Sequence, residues 1–406
     1  MKILLINQSF VPPDEPGHTR HFEMAQYLRK CGHEMVIVAS DSNYQTGLRT
    51  VERKGLYVEQ MIEGIRVLRA YSAQTLHLSY FGRLISFFSF MFSSVWAALQ
   101  VKDADLIMGT TPPIFQAVSA WFVALLRRKP FLLEVRDLWP EFAISMGVIK
   151  NPILIALGRW LEKFLYARAT HILVNSPAYK EYLIAKGVPE AKITFIAYGT
   201  DIDMFNPGVD GSSVRERLGL QDKFMVLYAG AMGQAHDLYT VLRAAQRLND
   251  ETNIQFAFFG AGKERSNLEA EAQRLGLKNI QFAGICPKKE MPAVIAAADL
   301  CLAILQNIEM FRTTYPNKVF DYMASARPTV LVIDGVVREV IEASGGGVFI
   351  EPGNDELLAK AIWDLSRDPV QVRQMGMNAR TYLVKHLDRR DKLAETLQLL
   401  ERLING

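Results

Sequence analysis

Lys2-Ile-Leu-Leu-Ile-Asn7 is a short apolar run, and the stretch behind it decides the fold. A loop rich in Pro and Gly, Gln8–His18, comes next. Thr19 can cap a helix running to Lys30, Gly32-His33 breaks it, and Glu34-Met-Val-Ile-Val-Ala39 is apolar again. This is one βαβ unit. Its strands read as continuous apolar runs, not alternating ones, because helices cover both faces of a parallel sheet. The pattern continues outward, with strand-like stretches at Tyr57–Gln60, Ile65–Arg69, Asp105–Gly109, Phe131–Val135, His171–Asn175 and Ile193–Ala197. Near Asn206–Ser213 the composition turns to Gly, Ser, Pro and Asp, and a second series begins. Its strands are Phe224–Ala229, Ile254–Phe259, Ile280–Ala283, Leu300–Ala303 and Thr329–Ile333. The predicted class is α/β, with two Rossmann-like parallel-sheet domains, 1–205 and 206–385, facing a central cleft. A charged helical region, Val370–Ile404, closes the chain, and its last part, 386–406, can cross back to the first domain.

The composition limits the possible functions. Half of the 406 residues are hydrophobic and 22% are charged, enough for two cores. To residue 200 there are 22 Lys+Arg against 16 Asp+Glu, and beyond it 24 against 27. The first half is therefore mildly basic, which suits an anionic surface or ligand, but no basic run is dense enough for nucleic acid. Cys31, Cys286 and Cys301 are too widely spaced for a zinc site or a disulfide framework, as expected in a reducing cytoplasm. The first apolar run is too short for a signal peptide. There is no P-loop, no Gly-x-Ser-x-Gly elbow and no His-Glu-x-x-His, and no metal is expected.

In open parallel sheets, chemistry gathers at the C-terminal ends of strands. Four places there carry suitable residues. Tyr315-Pro-Asn-Lys-Val-Phe-Asp-Tyr-Met-Ala-Ser-Ala-Arg-Pro328 reads as a helix begun by Pro316 and capped by Asn317, stopped by Arg327-Pro328. A helix N-terminus bearing Lys318 can hold a phosphate, and Asp321, one turn in, can accept hydrogen bonds from a ribose diol. Gly230-Ala-Met-Gly233 and Gly260-Ala-Gly262 are tight loops after strands that allow close backbone approach to a ligand. Arg265 stands where a third glycine would complete a dinucleotide fingerprint. Arg136-Asp137 sits at the tip of a buried strand, either as catalytic groups or as a helix cap with its salt-bridge partner. Gly17, His18 and Arg20 lie in or beside the first loop, where Arg20 could meet a phosphate. Separately, Leu84–Leu99 is apolar and aromatic, with Arg83 before it. At 16 residues it falls short of the roughly 20 needed to span a bilayer. Either it is a core helix, or it lies in a membrane interface with Phe87, Phe88 and Phe90 at headgroup level.

Several of these motifs in order, Phe259-Gly-Ala-Gly-Lys-Glu-Arg265 with Leu268, Asn279-Ile-Gln-Phe-Ala-Gly284, Ala297-Ala-Asp299 and Asp321-Tyr-Met-Ala324 with Pro328, resemble the retaining glycosyltransferases of family 4, which have the GT-B fold. Arg136-Asp-Leu-Trp-Pro140 and Pro316–Met323 resemble the subgroup that builds O-antigen, capsule and exopolysaccharide units. The resemblance implies transfer of a sugar, an N-acetylhexosamine or deoxy derivative, from a UDP-sugar to a polyprenyl-diphosphate-linked acceptor. It implies retention, no metal or other cofactor, and a cytoplasmic protein peripheral to the inner face of the plasma membrane. By the same resemblance Asp321 takes the place of the second glutamate of a Glu-x7-Glu motif and binds the ribose. Thr313, with Thr314 beside it, stands at the first glutamate, on the donor side. Ile285 meets the base through its backbone, and the Gly230–Gly233 loop lies at the diphosphate. Ala231 and His236 occupy the places of the usual Arg and Lys, and Arg136 that of a histidine facing the acceptor. The missing positive charge then falls to Lys318, its helix amides and Arg20. Two other functions fit the same fold: a UDP-sugar 2-epimerase, and a non-catalytic assembly partner that binds a nucleotide sugar.

Overall fold

The computed structural model describes residues 1–13, 15, 19–44, 46–52, 55–76 and 80–405, with the backbone alone of Tyr80. Two compact units divide the chain, Met1–Ala197 with Leu393–Gly406, and Tyr198–Lys392. The first unit ends before the composition change at 206, because the residues between are tied into the second unit. Arg380 donates to the carbonyls of Ile202 and Phe205, and Thr200 bridges to Asp388.

The first unit is an eight-stranded sheet of β1 (Lys2–Ile6), β2 (Glu34–Ser40), β3 (Tyr57–Ile62), β4 (Ile65–Ala70), β5 (Leu106–Thr111), β6 (Phe131–Val135), β7 (His171–Val174) and β8 (Ile193–Phe195). The order is β3-β4-β2-β1-β5-β6-β7-β8, parallel except for the edge strand β3. β1 lies at the centre, with Ile3 facing Met35 on one side and Leu106 on the other. Both faces of β1 are covered, so Ile3 to Ile6 are fully buried, while β3 alternates in burial as an edge strand should.

The second unit has six parallel strands, β9 (Phe224–Ala229), β10 (Ile254–Phe259), β11 (Ile280–Gly284), β12 (Leu300–Ile304), β13 (Thr329–Val332) and β14 (Gly347–Phe349), in the order β11-β10-β9-β12-β13-β14. The chain leaves β9 for β10 on one side and returns to β12 on the other. The loops after β9 and β12 therefore splay apart at the C-terminal edge and open a crevice between them, the position where such sheets bind ligands.

Three sequence expectations need correction. The closing helical region is two helices, Pro369–His386 and Arg389–Asn405, broken at Leu387 and Asp388. Leu399 and Leu400 of the second pack into the core of the first unit beside Ile3, Leu5 and Met35. The Asn317–Ala324 helix is capped by Pro316; Asn317 is its first residue and not its cap. That helix also ends before Arg327-Pro328, because Ala326 turns left-handed at φ +53°.

Candidate active site

The second unit gathers most of the predicted donor residues around the crevice after β9 and β12. Gly230 follows β9, Gly260 follows β10, and the two backbones touch. A β-carbon on Gly260 would run into the Gly230 carbonyl, one on Gly262 into the Met232 backbone, and one on Gly230 into the Lys318 ammonium. These glycines are required by close approach, and the approach brings the loop amides to the Asn317–Ala324 helix. Gly233 is different, since its Cα faces open space apart from His236. Tyr322 clamps the loop: its hydroxyl accepts from the Ala229 amide at 3.1 Å and donates to the Ala229 carbonyl at 3.2 Å.

Lys318 is the cation of this crevice. Its Nζ donates to the Tyr228 hydroxyl at 3.2 Å and sits 4.3 Å from the centre of that ring. Among the described residues no carboxylate pairs with it. Burial pushes the ammonium down to about 7, and the solvent contact it keeps limits that shift. His236, in the place of a usual cation, contributes no charge. Burial and the neighbouring Lys318 push its imidazole down to about 3. Lys318 lies in the first turn of the Asn317–Ala324 helix, whose first amides have no acceptors within the helix.

Asp321 is partly buried one turn in, and its Oδ1 accepts from the Thr200 hydroxyl at 3.0 Å. Thr200 is fully buried and fixed by backbone bonds to Leu387 and Arg389. Sequence reading missed this orienting group, which local sequence does not signal. It missed Tyr228 for the same reason. Thr313 and Thr314 donate to the carbonyls of Met310 and Phe311 within the short 3-10 turn before the helix. Ile285 is exposed at the end of β11, just after Gly284 at φ +85°.

In the first unit, Gly17 and His18 lie outside the described residues. Arg20 is committed locally: its Nη2 meets the Glu134 carboxylate at 2.8 Å. His21 Nε2 meets the other oxygen at 2.7 Å, and its Nδ1 faces the Asn7 amide nitrogen at 2.9 Å. The neutral Nε2–H tautomer satisfies both contacts. Burial pushes the Glu134 carboxyl up, but Arg20, His21 and Arg136 outweigh it and hold it well below the usual range. The signal in the sequence was an acid in the middle of an apolar strand, Phe131-Leu-Leu-Glu-Val135.

Arg136 does not salt-bridge Asp137. Its guanidinium donates to the carbonyls of Thr111 at 3.0 Å and Pro112 at 3.1 Å. Asp137 itself is exposed at the tip of β6, in dense surroundings that push its carboxyl up to about 6 against the pull of Arg136; access to water tempers the push. No group of three or more His, Cys, Asp or Glu residues suits a metal among the described residues.

Two family models match the chain. Residues 17–199 match the glycosyl transferase 4-like domain, and residues 212–382 match the glycosyl transferases group 1. The chain belongs to the glycosyltransferases of family 4, with the GT-B fold. It is 26% identical to WcaI of Escherichia coli K12, a candidate glycosyl transferase of colanic acid biosynthesis, over 97% of this chain and 98% of that one. It is 23% identical to the GDP-mannose-dependent alpha-mannosyltransferase of Mycobacterium tuberculosis, over 88% and 85%. Among solved structures, HepE of Anabaena in complex with UDP superposes with a TM-score of 0.74 at 19% identity, over 99% of this chain and 100% of that one.

Proposed function

We propose that the chain transfers a hexosyl group, an N-acetylhexosamine or deoxy derivative, from a UDP-sugar to a polyprenyl-diphosphate-linked acceptor in cell-surface polysaccharide synthesis. Transfer retains the anomeric configuration and needs no metal. One observation carries the donor side: Lys318, with no anionic partner among the described residues, stands over Gly230 at a helix N-terminus, with Asp321 held one turn further in. The charge of Lys318 and the helix amides then face the diphosphate, and Asp321 the ribose hydroxyls. Ile285 and its backbone offer a surface to the base.

The chemistry follows from charge. The bond from sugar carbon to phosphate oxygen breaks, the acceptor hydroxyl forms the new one, and the diphosphate leaves with added negative charge. Fixed donors at that position lower the barrier without reorganising. Lys318 takes the part the family gives to the absent Arg and Lys, because His236 stays neutral. In this reading Asp137, its carboxyl pushed up to about 6, orients or deprotonates the acceptor hydroxyl. The WcaI likeness over both full lengths supports the polysaccharide reading, and the HepE likeness supports UDP. Work on a polyprenyl-linked acceptor puts the protein at the cytoplasmic face of the membrane.

A melting-temperature panel with UDP, GDP, ADP, CDP and dTDP tests the donor. A nucleotide that binds only the folded state raises the melting point by mass action. Stabilisation by UDP alone, lost in Asp321→Ala, is expected. Stabilisation by GDP instead changes the donor. Nucleotide binding without transfer to any lipid-linked acceptor leaves the assembly-partner reading, and conversion of UDP-sugar without acceptor leaves the epimerase.

A further inference from the structure

The Tyr80–Leu99 helix has two unlike faces. One face is core: Phe90, Ala97 and Ala98 are fully buried, and the Ser93 hydroxyl donates to the Tyr71 carbonyl. The opposite face is bare. Phe81, Ile85, Phe88, Phe92 and Trp96 are exposed at helical spacing, and Phe92 keeps 70% of its surface in water. Phe90, which only the interface reading put at headgroup level, points inward as the core reading expects, and Phe87 packs against Phe115 at 5.9 Å. The helix is long and apolar enough to cross a membrane, but its buried face is part of the unit's core, so it can only lie along one.

The bare stripe does not stop at this helix. Phe88 meets Phe115 of the Ile114–Arg127 helix at 4.9 Å, and Phe122, Leu125 and Leu126 are exposed further along it. Trp121 of that helix meets Phe164 of the Pro152–Arg168 helix at 4.8 Å. There Ile153, Leu157 and Trp160 form a third exposed stripe at helical spacing. Exposed apolar residues scattered singly need no explanation, but three stripes joined by ring contacts do.

The charge around them names the occupant. The three helices carry Arg83, Arg127, Arg159, Lys163 and Arg168, and their single acid, Glu162, is buried against Lys186 and Tyr166. Arg159 pairs with Glu141 and Arg127 binds carbonyls, but no carboxylate pairs with Arg83, Lys163 or Arg168 among the described residues. Aromatic side chains beside unpaired cations, on a face almost without acids, match the interface of an anionic bilayer. We infer that these three helices form a face that docks on an anionic lipid surface, with Phe92, Trp96 and Trp160 inserted at headgroup level and Lys163 and Arg168 on lipid phosphates. Phe115 also meets Trp139 at 6.0 Å, so the row of rings runs from this face to the β6 tip that bears Asp137. The face rests on the lipid-linked acceptor reading only for its purpose.

Flotation of the full chain with phosphatidylglycerol–phosphatidylethanolamine vesicles tests it, with phosphatidylcholine vesicles for comparison. Wild type is expected to float with the anionic vesicles. The Phe92→Ser, Trp96→Ser, Trp160→Ser triple variant should lose binding on the order of tenfold or more, with its melting temperature kept because all three side chains are exposed. Lys163→Glu with Arg168→Glu should weaken binding most at low salt. Leu357→Ser with Met377→Ser, exposed apolar positions of the second unit, should change nothing. Asp321→Ala should float like wild type, so failure of the donor reading leaves this test intact. No flotation, or flotation indifferent to the triple variant, overturns the proposal. So does a self-associated wild type that the triple variant turns into monomer without any vesicle binding.

Discussion

The β6 tip of the first unit and the crevice of the second are both rich in charge, and they handle it in opposite ways. Around Glu134, behind the exposed Asp137 at the tip, the charges are closed on themselves. Arg20 and His21 grip Glu134, Asn7 holds His21, and Arg136 is turned onto backbone carbonyls. In the crevice Lys318 donates to the Tyr228 hydroxyl and pairs with no carboxylate among the described residues, and Gly230 clears the space above it. A buried charge is tolerated when it is paired and hydrogen-bonded. A cation left without an anion keeps its attraction for a ligand, at the cost of a depressed pKa. The first arrangement builds a scaffold and the second a binding site.

Four changes would break or sharpen this contrast. The largest effect on stability should come from Glu134→Ala, which removes the carboxylate that Arg20 and His21 share in a buried network. A loss of about 3–5 kcal/mol is expected from denaturant titration, as for other broken buried pairs. A stable variant would show that the network is not what holds β1 and β6 together. Lys318→Ala should do the reverse, with little change or a gain in melting temperature, since a desolvated charge is removed. Its kcat should fall by roughly 10²–10³-fold, the usual loss for one donor to a developing anion. Unaltered turnover would refute the role given to Lys318.

The pH dependence of UDP binding is a finer test. The free protein holds Lys318 with a pKa lowered to about 7, and a bound diphosphate favours the charged form and raises it again. UDP affinity should therefore be constant below the lowered value and fall above it, by at most about tenfold per pH unit for one linked proton. Calorimetry in two buffers should show proton uptake on binding near neutral pH, absent in Lys318→Met. Stability carries the same sign: a lysine with a depressed folded pKa binds fewer protons folded than unfolded, so the free protein gains stability as pH rises from about 7 towards the ordinary lysine range. The smallest effect belongs to Thr200→Val, which removes one hydrogen bond to Asp321. About 1 kcal/mol of UDP affinity should be lost, with kcat kept; a loss as large as that of Asp321→Ala would make Thr200 more than an orienting group.

Much of this architecture was legible beforehand. Strands β6, β9 and β10 begin and end where the apolar runs do, because buried parallel strands are read directly from uninterrupted Val, Ile, Leu and Phe. The glycine loops and the Lys318–Asp321 spacing were equally local, since one helical turn places both on the same crevice. Arg20 shows where such reading ends. Its position near a helix start suggested a phosphate, but its partner, Glu134, is more than a hundred positions away and reaches it only because β6 lies two strands from β1.

The sequence by itself determined the alternation of strand and helix, the two parallel sheets, the glycines and the motif that carries Lys318 and Asp321. All of these depend on neighbours within a few residues. The tertiary structure decided which charges are paired, that Thr200 orients Asp321, that the last helix packs into the first unit, and which aromatics of Tyr80–Leu99 face outward. Each depends on strand order and helix packing, contacts between residues far apart in the chain.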